Sequence, residues 1–436
     1  MNKDTGLRQL VTVPVIVAAL GYMVDMYDLF LFNIVRIPSL KAIGLSGDEL
    51  FNKGLFILNV QMAGMLCGGV LWGIIGDKKG RLSVLFGSIL LYSMANIANG
   101  FVSSFDQYLV LRFIAGVGLA GELGAGITLV AELLPQKIRG YGTTLVATAG
   151  VLGAILAYFV SDIFNWRTSY FVGGGLGLVL LVFRIGVFES GMFLHIKNKK
   201  QKRGNFLVLF SSWALFSKYL SSILVGIPIW FVSGVLIFFS PEFGHALGVT
   251  EPVNAGKAVM FAFSGQLLGD LVSGYLSQKL QSRKKGMLIF LLGSWCLMLV
   301  YLFATHQSLS TFYFICACLG FFNGYWALFV TIAAELFGTD IRATVATTVP
   351  NFVRASVIPI SALFLLGKKY MGLLNSGLVT GTLVIVIALI ALWRLQETFK
   401  KDLDYTENEK TDSLPELSSY SNNITIQENK TGMESR

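Results

Sequence analysis

The segment Ala131-Glu132-Leu133-Leu134-Pro135-Gln136-Lys137-Ile138-Arg139 returns 203 residues later as Ala334-Glu335-Leu336-Phe337-Gly338-Thr339-Asp340-Ile341-Arg342. Both copies keep Ala-Glu-Leu, a four-residue spacer and Ile-Arg. Gly64, Gly68 and Gly73 recur as Gly265, Gly269 and Gly274 at an offset of 201, and Glu189 recurs as Glu397 at 208. The chain is therefore a parallel duplication. Of its 436 residues 54% are hydrophobic and 14% charged, with a mean hydropathy of +0.67. Soluble domains carry about a quarter charged residues. The apolar content would fill ~11–12 helices of ~20 residues each. These values exclude a soluble enzyme, a disordered chain and a fibre. They point to an all-α membrane protein of two six-helix bundles that rock about a midplane site.

Apolar periodicity places twelve spans at 11–35, 54–76, 83–103, 107–134, 142–163, 168–188, 216–240, 256–278, 286–305, 310–336, 346–367 and 372–395. The resulting domains are an N-terminal bundle over 1–194, a basic linker over 195–215, a C-terminal bundle over 216–400 and a polar tail over 401–436 without helical period. The first apolar run begins near Leu10 and lacks a small-residue cleavage site after it, so no cleavable signal is expected. Cys67, Cys296, Cys316 and Cys318 lie in apolar stretches, and His195, His245 and His306 fall in loops. Neither set has metal-ligand spacing, and no nucleophile–base pair stands out. No metal, cofactor or enzymatic activity is expected.

From Asp402 onward eight acids and three bases give the tail a net −5. Against the whole-chain +9, that leaves +14 on the membrane body. One set of loops holds most of it: Lys78, Lys79 and Arg81; Lys137 and Arg139; Lys197, Lys199, Lys200, Lys202 and Arg203; Lys279, Arg283, Lys284 and Lys285. The opposite set holds mainly Arg36, Lys41, Lys53, Arg167, Lys257, Lys368 and Lys369. The positive-inside bias puts the first set and both termini in the cytoplasm. The basic charge is thus topological, and nucleic acid is not an expected partner.

Span two ends in Gly73-x3-Asp77-Lys78-x-Gly80-Arg81, and span four opens with Arg112-x3-Gly116-x-Gly118-x2-Gly121-Glu122. These resemble the signature loop and the Arg-Gly motif of the major facilitator superfamily. The likeness covers nearly the whole membrane body. In the second copy of the loop Gln278 replaces Asp77. The Glu-x6-Arg after spans four and ten, Phe188-Glu189-Ser190-Gly191 and Glu397-Thr398-Phe399 are closer to the sugar-porter and metabolite:proton symporter branches. Gly150-Val151-Leu152-Gly153 lacks the Gly-Pro pair of the antiporter motif, which argues against drug/proton exchange. The resemblance implies alternating access by a functional monomer in a bacterial inner membrane. It also implies a cytoplasmic gate built from Asp77, Arg81, Glu132, Arg139 and Glu189, with Glu335, Arg342 and Glu397 in the second half. Exposed pairs of this kind are worth ~0–1 kcal/mol, which suits a latch that must open. The paired glycines of spans two and eight read either as a packing face or as a sliding contact between the halves.

Charges within the spans carry the remaining information, because each costs ~2.5–3.5 kcal/mol at the bilayer centre and must face a partner or a cavity. Asp25 and Asp28 lie three residues apart on one face of span one. Both cannot ionise cheaply in a low dielectric, so one is expected to carry a proton. Tyr27-Asp28 resembles the Tyr-Asp of proton-coupled sugar porters, where the Asp faces the span-four arginine, here Arg112. Asp28 is the first candidate proton site and Asp25 the second, with Glu122 on the same path. The alternative for Asp28 and Arg112 is a permanent structural pair. Gln61, Arg184, Asp270, Asn323, Tyr325, Trp326, Asn351 and Arg354 are candidates for the substrate cavity, and Lys218 is expected to snorkel.

The arginines favour an amino acid or a carboxylate over a sugar. Val24–Leu29 and Ile34–Leu40 resemble segments of amino-acid transporters of intracellular bacteria. The expected function is proton-coupled import of a small organic metabolite. A uniporter or exchanger of sugars or nucleosides, or a transporter-derived nutrient sensor, are the alternatives. The charge bias makes a direct prediction. A cysteine placed at position 199 should resist an impermeant thiol reagent added to intact cells, and ready labelling from outside would invert the topology.

Overall fold

Five of the spans start at a residue chosen to satisfy free backbone N–H groups. The side chains of Ser104, Ser212, Asn254, Ser282 and Ser308 accept from the amides of Gln107, Leu215, Lys257, Lys285 and Thr311 at 3.0–3.4 Å. Such caps supply partners that lipid cannot. The computed structural model describes residues 12–79, 81–134, 136–189, 206–338 and 341–399. In the first half these are α1 (Val13–Ala42), α2 (Asp48–Lys79), α3 (Arg81–Asn99), α4 (Phe105–Leu119), α5 (Glu122–Leu133), α6 (Gln136–Ile163) and α7 (Trp166–Glu189). In the second they are α8 (Trp213–Phe231), α9 (Ser240–Ala246), α10 (Ala255–Lys279), α11 (Arg283–Phe303), α12 (Leu309–Asn323), α13 (Trp326–Glu335), α14 (Arg342–Ala355) and α15 (Val357–Arg394). A π-helical segment, Val232–Ile237, continues α8.

Ten segments are long and apolar enough to cross a membrane, and Ser83–Asn99 is a shorter apolar helix. The 51-residue segment Thr344–Arg394 reverses at Gly372, whose φ of 80° suits glycine. Ser376 Oγ donates to the Phe364 carbonyl at 2.6 Å across that reversal. With these, twelve crossings stand in two six-helix bundles among the described residues. Charge and hydropathy are inverted relative to a soluble protein. Trp213 and Trp393 are 77% and 80% exposed on the outer surface, while Arg36, Arg112, Arg184 and Arg354 are buried.

Several boundaries differ from the expected ones. Span one runs to Ala42 rather than ending at 35, because Arg36 and Ser39 still point into protein. Span two starts at Asp48 rather than 54. Spans four and ten are each interrupted, at Ala120-Gly121 and at Gly324-Tyr325. The side chains of Asp77, Arg81, Glu132, Arg139 and Glu189, the segment 190–205 and the tail lie outside the described residues.

Glycines bring backbones together within each half. A Cβ on Gly64 or Gly68 would strike the carbonyls of Phe113 and Val117 in α4, and one on Gly265 or Gly269 those of Ala317 and Phe321 in α12. Gly64, Gly68, Gly265 and Gly269 are therefore packing faces inside the halves, not a sliding contact between them. Gly73 and Gly274 face open space. Between the halves, α2 packs on α14 and α6 on α10. Overpacking typically costs about 1–3 kcal/mol. Gly269→Val should lower the thermal unfolding midpoint in detergent accordingly, with Gly274→Ala near wild type. Equal midpoints would mean that α10 and α12 do not meet at this distance.

Candidate functional site

Span one carries the polar axis of the molecule, and each of its buried charges, Asp25, Asp28 and Arg36, meets a partner on another helix. Arg112 Nη1 donates to Asp28 Oδ1 at 3.1 Å and to Asn96 Oδ1 at 3.4 Å, and Nη2 donates to the Asp28 carbonyl at 3.3 Å. Both side chains are fully buried. The guanidinium lies 5.8 and 5.7 Å from the ring centres of Phe32 and Tyr170. Asp28 Oδ2 and Arg112 Nε have no hydrogen-bond partner among the described residues.

Glu122 belongs to a different pair. It stands ten residues after Arg112, about 15 Å along a helix and so out of its reach, and it grips Arg184 through two bonds of 2.9 and 2.8 Å. Ser88 Oγ adds a bond to Glu122 Oε1 at 3.0 Å, and Arg184 Nη1 also donates to the Leu85 carbonyl at 2.9 Å. This closed pair rests on Gly21, where a Cβ would collide with the Arg184 guanidinium. Arg184 is thus committed to Glu122 and the Leu85 carbonyl, and it does not line the central cavity.

At the other end of span one Arg36 Nη2 donates to both oxygens of Glu242 in α9, at 2.7 and 2.9 Å, and lies 4.3 Å from the Phe239 ring centre. Asn59 of span two and Ser361 of span eleven exchange hydrogen bonds of 2.8 and 3.0 Å. These contacts, all between the halves, were not read from the sequence.

Between the halves lies a cavity of about 10 Å³, room for a single water. Its walls are Tyr22, Met26 and Phe30 of α1, Ile229 and Trp230 of α8, Ser233 of the π segment, Phe263 and Gln266 of α10, Trp326 of α13 and Arg354 of α14. Phe30 sits among Trp230, Phe238 and Phe263, with ring centres 6.2, 5.5 and 4.3 Å away. Arg354 differs from the other buried arginines. Its ion pair with Asp25, Nη2 to Oδ2, is 3.9 Å long and is not a hydrogen bond. Its bonds to Asn351 Oδ1, the Tyr22 hydroxyl and Met26 Sδ are long, at 3.4, 3.3 and 3.8 Å, and its Nε has no partner among the described residues. The ring centre of Trp326 is 5.8 Å away.

The remaining cavity candidates divide. Trp326 and Arg354 line it, and Asn351 orients Arg354 while donating to the Ala120 carbonyl of the first half at 3.0 Å. Asp270 does not line it. Its Oδ1 accepts from the Ala327 amide at 3.0 Å, and the Trp326 amide also bonds it, so that it caps α13 where span ten restarts. Asn323 ties span ten to α8 through Ile229 O and to the π segment through Ser233 Oγ, at 3.2 and 3.1 Å. Tyr325 donates to the Val225 carbonyl at 3.3 Å. Gln61 is buried, with its amide unpartnered among the described residues. Lys218 donates to the Leu336 carbonyl at 3.1 Å.

Of the second-half gate candidates, Glu335 accepts from Arg283 at 3.1 Å and from Thr398 at 2.7 Å. The Arg342 Nε bonds the carbonyls of Ala334 and Phe337 at 3.1 and 3.2 Å. Glu397 caps α11, accepting from Ser282 and from the amides of Arg283 and Lys284. Partial burial opposes ionisation of Glu397, but these bonds and one from the Phe399 amide prevail and hold its carboxyl below the ordinary glutamate range.

Residues 18–362 match the family model of the Major Facilitator Superfamily. The chain belongs to this superfamily. It is a multi-pass membrane transporter, not an enzyme. It is similar to the putative niacin/nicotinamide transporter NiaP of Bacillus subtilis, at 27% identity over 78% of this chain and 84% of that one. It is also similar to the benzoate transport protein of Acinetobacter baylyi, at 24% identity over 76% and 78%. The xylose transporter XylE of E. coli, in an inward open conformation, shares the fold with a TM-score of 0.67 and 18% identity, covering 89% of this chain and 97% of that one.

Removing one member of a buried ion pair typically costs about 3–5 kcal/mol, because the other charge is stranded. Glu122→Gln should lower the unfolding midpoint on that scale, and Glu122→Gln with Arg184→Met should recover most of the loss. A double variant as unstable as the single one would mean that the two residues do not act as a pair.

Proposed function

We propose that this transporter imports a small organic carboxylate with a flat, unsaturated body, coupled to protons. It would work as a monomer by alternating access in a bacterial inner membrane, with both termini in the cytoplasm. The observation that carries the reading is Arg354. It faces the cavity with a guanidinium whose nearest carboxylate is not hydrogen-bonded to it, whereas Arg36, Arg112 and Arg184 are each bonded to an acid. A buried guanidinium with poor acceptors is an anion receptor in waiting. Around it stand the rings of Tyr22, Phe30, Trp230, Phe263 and Trp326, which suit a planar apolar body. A sugar would need more amides and hydroxyls than Gln266, Ser233 and Tyr22 offer. The substrates named for relatives, niacin, benzoate, 4-hydroxybenzoate and muconate, point the same way.

The cavity is far smaller than the ~300–1,000 Å³ of small-molecule sites, so loading requires the halves to part. Asp28 is the proton site in this reading. Protonation would release Arg112 and loosen span one from span four, and deprotonation would restore the pair. The amino-acid reading keeps one observation of its own. Both Asp25 oxygens lack a hydrogen bond among the described residues, with Oδ2 3.9 Å from Arg354, and an ammonium group beside a carboxylate would use them.

Benzoate, an amino-acid mixture and xylose, each added to the purified protein, separate these readings. A ligand at 100 times its Kd adds ~2.7 kcal/mol of stability. Benzoate should raise the unfolding midpoint, and Arg354→Ala should remove the effect. A response to xylose alone, or one unchanged in Arg354→Ala, would overturn the carboxylate reading. Asp28→Asn should abolish uphill, pH-driven uptake while keeping substrate binding and some counterflow. Unaltered accumulation in that variant would remove Asp28 from the coupling mechanism.

A further inference from the structure

We propose that Asp25 is the resident anion of the substrate site: it neutralises Arg354 in the empty carrier, and an incoming carboxylate replaces it as Asp25 takes up a proton. The inference rests on the carboxylate reading and adds a role for a second span-one acid.

The geometry separates Asp25 from the other buried acids. Glu122 is locked to Arg184 by two short bonds, and Asp28 to Arg112 by one bond at its carboxylate. Those two pairs lie within the first half. Asp25 and Arg354 come from opposite halves, span one and span eleven, and make ionic contact at 3.9 Å without a hydrogen bond. Both Asp25 oxygens are buried without a donor among the described residues. Such a pair balances charge yet gives up no hydrogen bond when it parts.

Charge bookkeeping then couples the proton to the substrate. The ionisable groups acting on Asp25 are Arg354 of span eleven, Glu122 of span four, Arg184 of span six and Asp28 of its own span, with the phenols of Tyr22 and Tyr92 close by. Glu122 and Arg184 cancel each other, and Arg112 cancels Asp28. What remains is Asp25 against Arg354, so the empty site is neutral and the halves can close over it. A bound carboxylate on Arg354 would leave Asp25 as an uncompensated buried charge, which is costly in a low dielectric. One proton on the Asp25 carboxylate restores neutrality: the substrate anion takes the guanidinium, and the new O–H is available to donate. The site can therefore close empty, or with substrate and proton together. Substrate without the proton holds it open. Release toward the cytoplasm returns the proton, and Asp25 reoccupies Arg354.

Benzoate binding to the full-length detergent-purified protein, measured by calorimetry in buffers of different ionisation enthalpy, tests this. Wild type should take up about one proton per benzoate bound. Where Asp25 of the empty carrier is ionised, Kd should rise about tenfold per pH unit. Asp25→Asn keeps the shape without the charge, so it should bind benzoate at least as tightly at neutral pH, with no proton uptake and a flat pH profile. Benzoate binding by wild type without proton uptake overturns the inference whether or not any variant folds. Asp25→Asn that loses affinity, or keeps the proton uptake, also overturns it. If an amino acid binds and Asp25→Asn abolishes that binding, Asp25 is an ammonium ligand instead. If no carboxylate binds at all, the failure belongs to the carboxylate reading itself.

Discussion

A charge inside the bilayer must find its partner within the protein, and this constraint organises the molecule around span one. Gly21, Asp25, Asp28 and Arg36 mark successive levels of α1, and each level is tied to another span: Glu122 and Arg184 resting on Gly21, Arg354 at Asp25, Arg112 at Asp28, Glu242 at Arg36. Two of these ties stay within the first half and two cross to the second. The internal ones hold α1 in its bundle, and the crossing ones hold the two bundles against each other. The crossing ties also differ in strength. Arg36 and Glu242 share two short hydrogen bonds, while Arg354 and Asp25 share none.

Glycine contacts complement the ion pairs. Where α2 meets α4 and α10 meets α12, backbone carbonyls occupy the space a side chain would need. The members of each pair therefore move together, and relative motion is left to the contacts between halves, which are mostly side chain against side chain. Asn351 reaching the Ala120 carbonyl, Thr347 against Gly124 and Asn59 with Ser361 are contacts of this kind.

Much of the architecture was legible because duplication and hydropathy are properties of the sequence itself. The Asp28–Arg112 contact was legible too, through the motif that Tyr27-Asp28 resembles. The partnership of Glu122 and Arg184 was not, because 62 residues separate them and no spacing rule joins two different spans. The aromatic wall was only partly visible for a related reason. Phe30 lines the cavity and Phe314 is 67% exposed on the outer surface, yet both are phenylalanines in apolar runs. One signal was present and unused. Gly121 and Gly324 are 203 residues apart, the offset of the Ala-Glu-Leu repeat, and both mark the point where a span breaks. The gate charges of the first half stay outside the described residues, so their arrangement rests on the resemblance alone.

The break in span ten places the N-terminus of α13 at the cavity wall, with Trp326 as its first residue. A helix start of this kind carries a partial positive charge and free N–H groups, the features that hold phosphate or sulfate in many proteins. Here Asp270 fills that position from the neighbouring span. The backbone's indiscriminate appetite for anions is thereby spent on an internal carboxylate. In the carboxylate reading proposed above, attraction at the cavity is left to the Arg354 guanidinium, and the aromatic walls around it favour an anion with an apolar body over a bare inorganic one.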